Sequence, residues 1–255
     1  MREDRDGLFE VLMSGFTTLS YEKRDGIAYI TLDRPHALNT YNVQMRDDLH
    51  QVLNAIKADN EVRVGIVKGA GEKGFCAGAD LSEFLTAPPP VAARKVRWQR
   101  DTWSLFLDIP QPFIAAVHGY VLGSGMEIAL CCDIRIASED ARFGLPEVGL
   151  GIIPAAGGTQ TLPRIVGPAV AIEMLCTGRW IRGEEAYRIG LVNQVVPRAE
   201  LLEAAEEKAQ KIASYNPRAV RSAKKAVLRG RDLPLADGLD LEKRLAYALI
   251  SGTSR

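Results

Sequence analysis

The chain has 255 residues, enough for one large domain or a core with a small appendage, and its 47% hydrophobic content marks it as globular. Its 32 basic and 32 acidic residues cancel, which leaves no electrostatic footprint for a nucleic-acid backbone or an anionic membrane. No apolar run approaches the roughly 18 residues of a membrane span. The four cysteines, Cys76, Cys131, Cys132 and Cys176, show neither C-x-x-C nor His-paired metal spacing, so reduced, buried thiols in a cytoplasmic protein are expected.

Residues 1–15 hold four acidic residues and two arginines without a long apolar core, which predicts a loose extension and neither a secretory signal nor a transit peptide. Residues 16–22 and 27–32 read as strands joined at Arg24-Asp25-Gly26, a hairpin signal. Met45, Leu49, Val52, Leu53 and Ile56 recur at three- and four-residue steps, so residues 42–59 are expected to form an amphipathic helix. A strand at 64–67 runs into KGAGEKGFCAGADL, where Gly69, Gly71 and Gly74 match the spacing of a dinucleotide-binding turn. That reading fails on context, because no helix follows the third glycine and the region where an acidic residue is required is the run Pro88 to Pro90. Phe75-Cys76 likewise excludes a phosphate-cradling Walker loop. A helix over 91–107 and a strand over 113–117 come next, and after Pro197 only helices remain, at 199–214, 217–229 and 235–250. The alternation predicts an α/β core over 16–198 and a C-terminal helical region over 199–255, with no repeat sharp in residue identity.

Two small-residue loops point to chemistry. Asp80 and Glu83 have capping-box spacing, which places Ala79 at a helix start. HGYVLGSG precedes a second, buried helix from Met126, whose first amides lie near Ser124. Free N–H groups at two helix starts, unblocked by side chains, can converge on one oxygen that gains negative charge; the bland alternative is that small residues only allow close packing. Glu127 and Glu147 each sit in apolar, glycine-rich surroundings, where an unpaired charge is costly. Taken singly, each could be a structural acid paired to Arg135 or Arg142; as a pair beside two donor loops they read as acid–base groups. Ser124 as a nucleophile does not fit, since the elbow motif needs glycine where Leu122 stands. His118 is expected to pack at a strand end, and His36 and His50 form no metal constellation.

Five stretches in order, LDRPHALNT, GFCAGADL, IAAVHGYVLGSGMEIALCCDIRIAS, FGLPEVGLGIIPAAGGTQTLPRIVG and TGRWIRGEEAYRIGLVNQVV, resemble the enoyl-CoA hydratase/isomerase (crotonase) family over about residues 17–230. The resemblance implies an α/β spiral of ββα turns followed by a helical trimerisation region, and a homotrimer or dimer of trimers. It implies an acyl-CoA or enoyl-CoA substrate, with coenzyme A belonging to the substrate, and no metal or other cofactor. Carried over by position, Ala79 and Ser124 supply the oxyanion-hole amides, Ser124 standing where many relatives have glycine. Glu127 and Glu147 are the catalytic acids. Ala77, Gly78, Asp80, Leu81, Leu122, Gly123 and Pro146 line the substrate, while Arg34, His36, Ala37 and Leu38 lie at its adenine–ribose end. Keeping both glutamates favours hydration over isomerisation; the rivals are an enoyl-CoA isomerase and a non-catalytic RNA-binding or scaffold member. One departure is that the chain stops at YALISGTSR, short of a terminal helix that many relatives carry.

Overall fold

A computed structural model describes residues 15–86 and 100–252. The expected extension, but for Gly15, and the 91–99 part of the second helix lie outside the described residues. Among those described, ten strands form a six-stranded sheet ordered β1-β2-β3-β5-β7-β10 and a four-stranded sheet ordered β4-β6-β8-β9. β1 (Leu19–Arg24) pairs antiparallel with β2 (Ile27–Leu32) through a two-residue turn in which Asp25 (φ 52) and Gly26 (φ 75) are both left-handed, as this turn type demands. The first strand starts later than the sequence predicts. Thr17 and Thr18 turn their amides to the buried Asp48 carboxylate instead of the sheet.

Helix α1 (Val43–Ala58) buries Met45, Leu49, Val52, Leu53 and Ile56, the face its periodicity marks, and Asn42 caps it by accepting from the Met45 amide. The core then repeats one motif three times. β3 (Val64–Gly69) leads to β4 (Gly74–Cys76) and a 3-10 turn at Leu81–Thr86; β5 (Phe113–Val117) leads to β6 (Tyr120–Leu122) and α3 (Ser124–Cys131). β7 (Ile134–Ser138) leads to β8 (Arg142–Gly144) and a 3-10 turn at Pro146–Leu150. β3, β5 and β7 are parallel neighbours in the large sheet, and β4, β6 and β8 in the small one, so each turn of the chain stacks on the last as a spiral of ββα units. The glycine run of the first turn serves this stacking: a Cβ on Gly74 would sit 2.8 Å from the Tyr120 backbone nitrogen. Before α3, the described part of the expected 91–107 helix is α2 (Thr102–Asp108), which starts where Asp101 caps it by accepting from the Ser104 amide.

After the third turn come α4 (Gly158–Thr161), α5 (Pro163–Val166), α6 (Pro168–Thr177), β9 (Ile181–Arg182), α7 (Gly183–Arg188) and β10 (Gln194–Val196). The large sheet is buried on both faces. Ala28, Ile30, Val67, Ala115 and Ala137 face the main core, whereas Ile27, Tyr29, Ile66, Ile114 and Ile136 pack with Leu201, Ala205 and Ala209 of α8 (Leu201–Ala213). The first helix beyond residue 197 is thus packed on the sheet, while α9 (Pro217–Gly230) and α10 (Leu235–Ile250) pair as a hairpin without one fully buried residue. Cys76, Cys131 and Cys132 are buried as expected; Cys176, on α6, is exposed because its side of the helix faces outward. No helix among the described residues is long and apolar enough to cross a membrane.

Candidate active site

The three spiral turns end side by side. Ala79 follows β4, Ser124 follows β6 and Glu147 follows β8, and these three strands are adjacent and parallel, so the segments leaving them emerge together. Their closeness is visible at two glycines. A Cβ on Gly123 would lie 3.3 Å from Gly78 Cα and 3.1 Å from Glu147 Oε1, and Gly123 holds the φ of 50 that lets β6 turn into α3.

The Ala79 peptide is oriented from its far side. Tyr41 donates its amide to Gly78 O (2.8 Å) and accepts from the Asp80 amide (2.9 Å), a parallel bridge that turns the Ala79 N–H to the opposite edge, where β6 lies. Ser124 is the first residue of α3, so its amide has no acceptor within the helix. The capping box at Asp80 forms only in part: Asp80 Oδ1 accepts from Ser82 N (3.2 Å) and Ser82 Oγ (2.7 Å), but Glu83 accepts from Val43 N and thereby ties the turn to α1. The hydrogen bonds from Ser82 and then from Arg34 hold the Asp80 carboxyl below the usual carboxylate range.

The two glutamates meet different surroundings. Glu127 is 2% exposed, and its Oε1 accepts from the amides of Ala156 and Gly158, both at 2.9 Å. Glu147 is half-buried with an Oε2 that has no hydrogen-bond partner; burial first, and then the negative charge of Glu127, push its pKa up. The arginines that would have made these acids structural are engaged elsewhere. Arg135 donates to Leu191 O, Ala129 O and Cys132 O, and Arg142 is exposed over the Tyr120 ring.

The remaining predicted residues divide. Pro146 opens the turn that carries Glu147, Leu122 is buried at the end of β6, and Ala77 donates its amide to Leu38 O at 3.1 Å. Arg34 donates to Thr40 O (2.6 Å), Thr40 Oγ1 (3.2 Å) and Asp80 Oδ2 (3.0 Å), so these two charged residues are paired with each other. Leu81 and His36 are exposed, and Ala37 is half-buried in the 3-10 turn of Pro35–Ala37. A cavity of ≈ 300 Å³ adjoins this turn, lined by Pro35, Leu38, Asn39, Ala70 and Lys73 among others. Larger cavities of ≈ 400 and ≈ 560 Å³ lie against α9, and neither glutamate lines them.

Sequence reasoning missed Asn39, which is fully buried at φ 55, accepts from the Arg34 amide and donates to Ala70 O (2.9 Å) and Gly74 O (3.0 Å). It pins the Arg34–Leu38 turn to the glycine loop. Its signal was available: asparagine is the residue that tolerates a left-handed position while bonding nearby backbone. Ala156 and Gly158 were also missed, since a backbone donor leaves no mark in residue type. His118 behaves as expected, buried beside Gly71, with burial pushing its pKa down to about 4.

The model of the family described as enoyl-CoA hydratase/isomerase matches residues 22–255. The chain is 45% identical over 222 residues to a short-chain-enoyl-CoA hydratase of Clostridium acetobutylicum, covering 87% of this chain and 85% of that one. It is 40% identical over 237 residues to the (E)-benzylidenesuccinyl-CoA hydratase of Thauera aromatica, covering 92% and 91%. A crystal structure of an enoyl-CoA hydratase from Bacillus anthracis superposes with a TM-score of 0.88 at 42% identity, covering 92% of each chain. With matches of this extent and a spiral of ββα turns in common, the chain belongs to the enoyl-CoA hydratase/isomerase family.

Proposed function

We propose that this protein adds water across the 2,3 double bond of an enoyl-CoA thioester. Family membership supports chemistry on coenzyme A thioesters, and relatives with 40% and 45% identity carry hydratase names. The observation that carries the finer reading is the pair of unlike carboxyl groups, Glu127 held by two amides and Glu147 with an unpartnered Oε2 and a raised pKa, beside the two loops of Ala79 and Ser124.

The thioester oxygen accepts from the Ala79 and Ser124 amides, which stabilise the enolate-like transition state; removing one such donor typically costs about 10² to 10³ in rate. Amide donors stabilise a charged carboxylate, so Glu127 acts as the base that orients and deprotonates water attacking C3. A raised pKa keeps Glu147 protonated further up the pH scale and suits it to deliver the proton at C2. The negative charge of Glu127 adds to the rise in the Glu147 pKa, so the two carboxyl groups act on each other. The adenine end of the ligand lies along Arg34–Leu38 and its ≈ 300 Å³ cavity. The Arg34–Asp80 pair also steadies the peptide that follows Ala79.

Glu127→Gln and Glu147→Gln are each expected to lower kcat for crotonyl-CoA hydration by about 10² or more while acyl-CoA binding stays near wild type. Loss of the enoyl-thioester absorbance measures turnover, and product analysis separates hydration from double-bond migration. Near-native turnover by either variant overturns the paired-carboxylate mechanism; a migrated double bond in place of the 3-hydroxy product makes the protein an isomerase.

A further inference from the structure

The segment after Glu147, Ile152-Ile153-Pro154-Ala155-Ala156-Gly157-Gly158, has no role in the reading above except two backbone bonds, and Gly158 stands out within it. Its φ is not left-handed, so no backbone requirement explains a glycine here. The space around it does. A Cβ at this position would lie 3.0 Å from Glu127 Oε1, 3.0 Å from Pro154 Cβ and 3.1 Å from Leu145 Cδ1. The carboxylate therefore occupies volume that any larger residue at 158 would contest, and it does so while accepting the Gly158 amide at 2.9 Å. The Ala156 amide reaches the same oxygen from two residues earlier.

We infer that Gly158 is a positioning residue for Glu127: its missing side chain leaves the room in which the carboxylate lies, and its amide, with that of Ala156, fixes Oε1 in one place. Both bonds go to the same oxygen, which sets the direction of the whole carboxylate. A base that must meet a water molecule at an alkene carbon depends on that direction, because a displacement of about 1 Å is enough to cost on the order of 10² in rate. The inference rests on the hydratase reading and adds to it a residue that acts through Glu127.

A double-mutant cycle tests it on the full-length protein with crotonyl-CoA. Gly158→Ala is expected to lower kcat about 10-fold to 10²-fold with KM changed by less than about threefold, since the substrate-contacting loops are untouched. In a Glu127→Ala background, with no carboxylate left to displace, the same substitution is expected to cost less than about twofold. A merely structural glycine would lower activity equally in both backgrounds, and that result, or a Gly158→Ala enzyme within about twofold of wild type, overturns the inference. If Gly158→Ala does not accumulate as folded protein, Ala156→Pro, which deletes the other donor, carries the same expectation through the same cycle. A wild-type protein that does not hydrate crotonyl-CoA is a different outcome, which defeats the hydratase reading on which the inference stands.

Discussion

Glu147, the acid of the proposed mechanism, works against the fold that carries it. Its pKa is raised by burial and then by the charge of Glu127, so the folded state favours its protonated form. A carboxyl raised in this way contributes stability below its ordinary value of 4.5, and that contribution is lost as pH rises through the folded-state value. Above that folded-state value the ionised group is a net cost. Glu147→Gln, which keeps the shape without the charge, is therefore expected to melt at a higher temperature than wild type at pH 8, with the gain shrinking toward pH 4, even as activity falls. Paired thermal melts at the two pH values check this; a lower Tm for the variant at pH 8 would mean that the carboxylate has a stabilising partner. Glycines carry the complementary role at this scale, since Gly78, Gly123 and Gly158 are where backbone and carboxylate approach too closely for a Cβ or need a left-handed φ.

At the scale of elements, a polar latch joins α9 to the segments that flank β5 and α3. Lys224 Nζ donates to Asp133 Oδ2 (2.7 Å) and Gln111 O (2.9 Å), and Asp133 also accepts from the Phe113 amide that opens β5. Asp133 follows α3 by one residue beyond its C-cap, so the latch connects the C-terminal hairpin to the end of the helix on which Glu127 stands. The two side chains are 10% and 19% exposed, which places the pair between a surface bridge and a buried one. Lys224→Met, keeping the apolar stem, is expected to lower stability by about 1–3 kcal/mol, because an acceptor and a carboxylate lose their donor in a half-dry site. Urea denaturation measures this, and an unchanged midpoint would show the latch to be incidental.

For the whole molecule, the hairpin of α9 and α10 presents exposed apolar side chains among the described residues. Val227, Leu239 and Tyr247 are exposed, and Leu235 and Ile250 are 79% and 84% exposed. Two amphipathic helices with no fully buried residue leave more apolar surface than a soluble monomer ordinarily shows. A homotrimer, or a dimer of trimers, is expected to cover this face by closed symmetry. Light scattering at micromolar concentration is expected to give a mass of at least three times 27.9 kDa, and a monomer would overturn the assembly.

The sequence by itself carried what depends on local pattern and on residue type. Apolar spacing gave α1 and the face it buries, Asp25-Gly26 gave the hairpin, and the unusual placing of two glutamates among glycines singled them out as candidate acids. It also carried the family, through stretches long enough to be matched in order. Three-residue strands such as β4, β6 and β8 are too short to show a period of two, so the small sheet was invisible, and with it the repeat, which is one of geometry and not of residue identity. Only the tertiary structure decided that the ends of those strands lie side by side, which is what brings Gly78, Gly123 and Glu147 into contact from positions up to 69 residues apart (147 − 78). It decided too how the Glu127 carboxylate is clamped, because its donors are backbone amides 29 and 31 residues along the chain, and every residue but proline carries one of those.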